Sequence, residues 1–255
     1  MFTAEFREQV RKRVLELVRV DPRVTGGALT GSTAIGLGDQ WSDIDLAFGI
    51  ADGNRLEDVL DDWTHLLDQE FGVLHHFDLH ASQRRISRVF LLPGGLEIDV
   101  VVLAAEDLGA GGPRFRALFG TTHELEAQPQ PDASYLLGMS WLHVLHARAC
   151  IERHKLWQAE YFIRGIRDHV LALACLRLGE DTRYYGVGAD RLPAAVTAPL
   201  TEALVRSLDV LELRRALAVA TLCLIRELEE SDGQLSARLS PLLLEYGVPE
   251  EGRPS

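Results

Sequence analysis

The sequence predicts an α+β domain followed by an all-helical domain, and three observations predict it. Strand-like runs stop near residue 105, helical spacing takes over from residue 133, and a segment rich in Gly, Pro and Gln separates them. The expected boundaries are 1–126 for the first domain with its linker and 127–255 for the helical one.

Thr3 reads as the N-cap of a helix over 3–20, with Glu5 in its first turn and Phe6, Val10, Val14, Leu15 and Val18 as an apolar stripe. Asp21-Pro22 ends it. Residues 24–29 then form a short strand, 33–37 a short helix, 43–50 a second strand and 56–71 a second long helix. Three more strand-like runs cover 73–80, 86–92 and 96–103, the last two joined by the tight-turn signal Pro93-Gly94-Gly95. Gly111-Gly112-Pro113 and Gln128-Pro129-Gln130-Pro131 mark a linker over 110–132, in which 115–119 reads as a short helical piece. Helical spacing then holds over 133–153, 156–178, 198–207, 210–230 and 235–246.

With 255 residues and 47% hydrophobic content the chain can bury one or two sizeable cores, and no run approaches the roughly 18 apolar residues of a membrane span. The first residues lack a signal-peptide pattern, so the cytoplasm is the expected compartment. Cys150, Cys175 and Cys223 form no C-x-x-C pair and read as core residues, not zinc ligands. A net charge of −12, with Lys only at Lys12 and Lys155 and the arginines dispersed, argues against nucleic acid as partner and would suit a cationic small molecule.

The densest chemistry lies in Thr30-Gly31-Ser32-Thr33 and, ten residues after the serine, in Ser42-Asp43-Ile44-Asp45-Leu46. On a strand, Asp43 and Asp45 project from one face while Ile44 turns to the core. Such a pair suits Mg2+, which takes one or two carboxylates together with phosphate oxygens and water. Gly31 lets the backbone approach a phosphate closely, and Ser32 and Thr33 add hydroxyl donors. A third acid, Asp99, interrupts the β-branched run Ile98-Asp99-Val100-Val101-Val102, where an uncompensated charge is costly. A metal shared with Asp43 and Asp45 would compensate it. Glu97 shares that face, but lies nearer the turn and its water, so Asp99 is preferred.

Gly31-Ser32, then Asp43-Ile44-Asp45, then Asp99 on a later strand resembles the DNA polymerase β-like nucleotidyltransferase superfamily over roughly the first 105 residues. The two-domain layout resembles the aminoglycoside and lincosamide nucleotidyltransferases within it. For the second half, residues 156–168 with Tyr184-Tyr185-Gly186 and Leu192-Pro193-Ala194 look like the helical domain of uncharacterised bacterial relatives. The resemblance implies a mixed sheet flanked by helices and transfer of AMP from ATP to a hydroxyl of a small acceptor, with pyrophosphate released. It also implies two Mg2+ ions, held by Asp43, Asp45 and Asp99, with Gly31, Ser32 and Thr33 on the nucleotide's phosphates. The helical domain would wall the acceptor's side of the cleft. There Glu160, Arg164 and Arg167 form one charged strip opposite Phe162, Ile166, Val170 and Leu173. Glu160 is the candidate general base or ammonium anchor, and Arg164 or Arg167 the phosphate contact; a solvated salt-bridge ladder is the plainer reading.

Other features are set aside. His76, Asp78 and His80 alternate on one strand but more simply line an exposed face. Trp41 and Trp157 are taken as core in preference to stacking platforms, and Gly36-Leu37-Gly38 lacks the third glycine of a dinucleotide fingerprint. Asp61-Asp62 and Glu229-Glu230 read as solvated faces. The rival functions are a nucleotidyltransferase-fold antitoxin or regulator that binds a partner protein, and adenylylation of a protein or of a terminal RNA ribose.

Overall fold

The computed structural model describes residues 2–127, 129–182, 186 and 188–248, with the side chains of His80 and Ala81 outside the described set. The expected Tyr184-Tyr185 feature lies outside it too. The chain divides into two compact units, Met1–Gln128 and Pro129–Ser255.

The first unit opens with α1 (Ala4–Arg19), whose N-cap Thr3 hydroxyl accepts from the Phe6 amide at 3.1 Å. Then come β1 (Val24–Thr30), α2 (Gly31–Ala34), β2 (Ile44–Ile50), α3 (Leu56–Phe71), β3 (His75–Ala81), β4 (Arg85–Leu91) and β5 (Glu97–Ala104). The unit closes with β6 (Gly109–Ala110), β7 (Phe115–Gly120) and β8 (His123–Glu124). Six strands make a sheet in the order β3-β4-β5-β2-β1-β7, and β6 pairs separately with β8. Within the large sheet β2 and β5 run parallel and the other neighbours antiparallel, which makes it the mixed sheet expected.

Strand alternation sorts the two faces. Ile44, Leu46 and Phe48 of β2, Ile86 and Phe90 of β4, and Ile98, Val100 and Val102 of β5 share one core with Val10, Val14 and Val18 of α1 and Val59, Leu60 and Trp63 of α3. Each such side chain contributes about 1.5–3 kcal/mol by leaving water. The opposite face holds a smaller cluster of Ala47, Val101, Leu103 and Leu108. Asp45 and Asp99 belong to that second face, two residues before Ala47 and Val101.

In the second unit, α4 (Ala133–Glu152), α5 (Leu156–Leu178), α6 (Ala194–Glu202), α7 (Val210–Ser231) and α8 (Gly233–Gly247) enclose a core that includes Val144, Ile163, Ile166, Val170, Leu217, Leu224 and Leu243. A buried ion pair ties α5 to α7: Arg177 Nε and Nη2 each donate to Glu227 at 2.8 Å. Cys150, Cys175 and Cys223 are buried free thiols, as expected of core residues. Among the described residues no helix is long and apolar enough to cross a membrane.

The structure corrects several expectations. Residues 115–119 are strand, not helix: Phe115, Leu118 and Phe119 have helical spacing, but the open edge of β1 takes the segment as β7. A register shift between Gly27 and Ala28 brings consecutive Leu118 and Phe119 both onto the core, which is why the spacing misleads. The short helix starts at Gly31 and not Thr33, and Asp43 precedes β2 instead of opening it. The helix expected at 198–207 is α6, which begins directly after Pro193, a residue whose fixed φ favours a helix start. Trp41 and Trp157 are 63% and 76% exposed, not core: the first lies in a loop, the second on the outer side of α5's first turn.

Candidate active site

β1 delivers the chain into the Gly31 turn, and its antiparallel register with β2 pairs Leu29 with Leu46. That places the turn beside Asp45. Gly31 has φ +66°, and a Cβ there would lie 1.9 Å from Asp45 Oδ2. Any other residue would be strained and would displace the carboxylate. Ser32 and Thr33 follow, both half-buried.

The parallel pairing of β2 with β5 sets Asp45 directly opposite Asp99, and Ile44 opposite Ile98. Neighbouring strands are about 4.8 Å apart, so both carboxylates rise side by side from the face away from α1 and α3. Buried Ser87 on β4 donates its hydroxyl to Asp99 Oδ1 at 2.6 Å, fixing the carboxylate's direction. Asp43 is half-buried in the loop just before β2. Glu97, exposed at the start of β5, has its carboxyl raised, first by local desolvation and then by Asp43 and Asp99.

Asp45 carries the strongest electrostatic signature here. Burial first, then the charges of Asp43 and Asp99, a hydrogen bond with Asp43 and the more distant Glu97 all push its carboxyl up, to about 7. Every one of those influences disfavours the anion. Among the described residues no three His, Cys, Asp or Glu side chains converge closely enough to hold a metal ion by themselves. The donor set nonetheless fits a hard divalent cation of the Mg2+ kind, which takes one or two carboxylates and completes its shell with phosphate oxygens and water. Such a cation would supply the positive charge that Asp45 lacks.

Glu160, Arg164 and Arg167 sit on α5 in the helical unit. Ile166, Val170 and Leu173 of that helix are buried and Phe162 half-buried, while Arg164 is exposed and Arg167 half-buried. Arg164 Nε meets Asp168 Oδ2 at 3.3 Å, and Arg167 Nη2 lies 3.7 Å from Asp168 Oδ1. Their carboxylate partner is therefore Asp168, and Glu160 is half-buried beside them.

The remaining features resolve structurally. Asp78 is bound to Arg88 through Nε at 2.6 Å and Nη2 at 3.0 Å, while Arg88 Nη1 reaches Asp61 at 2.7 Å and Thr64 at 3.1 Å. Arg88 is 6% exposed, so this network neutralises a buried cation and ties β3 and β4 to α3. Asp62 pairs with Arg23, and both Asp61 and Asp62 stay largely exposed. Glu229 and Glu230 are exposed as expected.

Sequence reasoning missed Ser87. Its only signal is a hydroxyl between Ile86 and Arg88 in an apolar run, and its partner depends on the β4–β5 register, which no local pattern states.

No protein-family model and no curated protein matches the chain. Among solved structures it is similar to an aminoglycoside 6-adenyltransferase from Bacillus subtilis, at 11% identity over 95% of this chain and 99% of that one, with a TM-score of 0.44. It is also similar to JHP933 from Helicobacter pylori, at 12% identity over 92% and 97% with a TM-score of 0.31. A third likeness is to the GLD-2/RNP-8 complex, at 14% identity over 75% of this chain and 48% of that one with a TM-score of 0.29. These are likenesses of fold outline; the chemistry of this chain is read from its own residues.

Proposed function

We propose that the protein is a metal-dependent nucleotidyltransferase that moves AMP from ATP to a hydroxyl of a small acceptor. The observation that carries the reading is the pairing of Asp45 with Asp99 on one sheet face and Asp43 in the loop just before it, with Asp45 raised to about 7 and the Gly31 backbone packed against it. Groups of like charge held together at a cost to the fold are what a cation-assisted phosphate site requires.

In this reading Asp43 and Asp45 would hold one Mg2+ ion, and Asp99 would share a second. When bound, the ions would neutralise the leaving pyrophosphate and acidify the attacking hydroxyl. The Gly31 backbone and the Ser32 and Thr33 hydroxyls orient the phosphates through hydrogen bonds and make no covalent bond. The acceptor oxygen bonds to the α-phosphorus, the bond from that phosphorus to the oxygen bridging to the β-phosphate breaks, and the hydroxyl proton passes to a carboxylate. Asp99, aimed by Ser87, is one candidate proton acceptor. Glu160 is proposed as the other, or else as an anchor for an ammonium group, with Arg164 and Arg167 proposed for phosphate; the charged strip read in the sequence is the ground for these roles.

The net charge of −12 favours a cationic acceptor, so aminoglycoside-type antibiotics come first. The test is pyrophosphate release with Mg2+, each of the four nucleoside triphosphates and a panel of aminoglycosides and lincosamides. Release is expected with one acceptor class and to vanish in Asp43→Ala. An undiminished rate in that variant overturns the reading.

A further inference from the structure

Arg7 is half-buried on α1 and uses its guanidinium in an unusual way. Its neighbours Arg11 and Arg13 meet carboxylates, those of Glu8 and Glu70. Arg7 instead donates from Nη1 to two main-chain carbonyls, those of Asp39 and, at 3.0 Å, Ser42. Both belong to the exposed segment that joins α2 to β2.

That segment is already folded on itself. Asp39 Oδ1 accepts from the Trp41 amide at 2.8 Å and from the Ser42 hydroxyl at 3.1 Å, and the Ser42 hydroxyl accepts from the Asp39 amide at 2.9 Å. Arg7 fastens this small turn to a helix whose Val10, Val14 and Val18 are buried. The Ser42 carbonyl shares a rigid peptide plane with the Asp43 amide, so holding the first orients the entry to the second. Both bonds leave the one nitrogen Nη1, whose two N–H groups are held in the plane of the guanidinium and so fix the directions of both carbonyls.

We infer that Arg7 is a positioning residue for the carboxylate site: through the Asp39 and Ser42 carbonyls it fixes the backbone that presents Asp43. The inference rests on the nucleotidyl-transfer reading for what Asp43 does, but not for the clamp itself.

The test uses the full chain as wild type, Arg7→Ala, Arg7→Lys and, as a control on the same helix, Arg11→Ala. Two quantities are read: the Kd for free Mn2+ by paramagnetic resonance, and amide hydrogen exchange along residues 37–43. Arg7→Ala is expected to weaken Mn2+ about tenfold, the usual scale for losing a group that orients a metal ligand. Exchange should quicken at 39–43 with the exchange of α1 and α3 unchanged. Arg7→Lys should recover part of both, and Arg11→Ala should match wild type. Arg7→Ala with wild-type Mn2+ affinity and wild-type exchange overturns the inference, as does a loss that Arg11→Ala shares. If wild type binds Mn2+ neither alone nor with a non-hydrolysable ATP analogue, the nucleotidyl-transfer reading fails and exchange decides alone: quickening confined to 39–43 upholds the clamp, and no change removes it.

Discussion

In the helical unit, Glu227 is 5% exposed and is met by Arg177 through two 2.8 Å hydrogen bonds. In the sheet unit, Asp45 has Asp43, Asp99 and Glu97 as charged neighbours, and with burial they lift its carboxyl to about 7. The sheet unit also pairs buried charge well where structure demands it, as the Arg88 network with Asp78 and Asp61 demonstrates. Concentrated acid on one face is thus local to one place. A buried charge with its partner reads as architecture. One surrounded by its own kind reads as a place built for something positive.

The sharpest way to break that contrast is Asp45→Asn. Losing a carboxylate worth several kcal/mol to the transition state should lower kcat at least about a thousandfold. The same change should raise the melting temperature of the metal-free protein, since it removes the group that burial and like charge oppose. Calorimetry beside a turnover assay reads both, and a variant that melts earlier than wild type would erase the contrast.

Gly31→Ala comes next. The left-handed backbone and a methyl 1.9 Å from Asp45 Oδ2 should together cost about 2–3 kcal/mol of stability. Activity should fall with it, and denaturant midpoints and rates measure the two losses. For Glu227→Gln the expectation reverses. Trading the carboxylate for an amide leaves Arg177 poorly matched and should cost about 2 kcal/mol by urea titration. Below the melting transition kcat should be unchanged; a drop there would mean that this ion pair is more than architecture.

The smallest effect concerns His143 and His169, whose rings lie 5.1 Å apart and whose Nδ1 atoms are buried without partners. Burial lowers both pKa values; His146 adds to the effect at His143, while Asp168 opposes it at His169. Because the folded values lie below the ordinary one near 6.5, the unfolded chain takes up protons first as pH falls. Stability from this pair is therefore full above about pH 6.5 and is lost on acidification below it. Melting temperatures from pH 8 to pH 5 should show the slope, and His143→Phe should flatten it.

The carboxylates were legible in the sequence because their chemistry is local. Asp43 and Asp45 alternate on one run, and Asp99 breaks a β-branched strand, so each announces itself without knowledge of its neighbours. The α+β order was legible for the same reason: periodicity is a property of one element. What escaped depends on pairs. Residues 115–119 became strand because the edge of β1 was free, a fact that no window around Phe115 contains. Ser87 and Arg7 act on groups 12 to 35 residues away, across a register or a helix-to-loop contact that only the folded chain specifies. The exposure of Trp41 follows from that same held loop.

The parallel alignment of β2 with β5 also bears on the order in which the molecule comes into being. Antiparallel neighbours can join through a tight hairpin, but a parallel pair needs a long crossover, here α3, β3 and β4. A chain emerging from the ribosome therefore carries Asp43 and Asp45 well before Asp99 can stand beside them. The pairing that sets Asp45 beside Asp99 should therefore arrive late, with the non-local contacts that set the pace of folding.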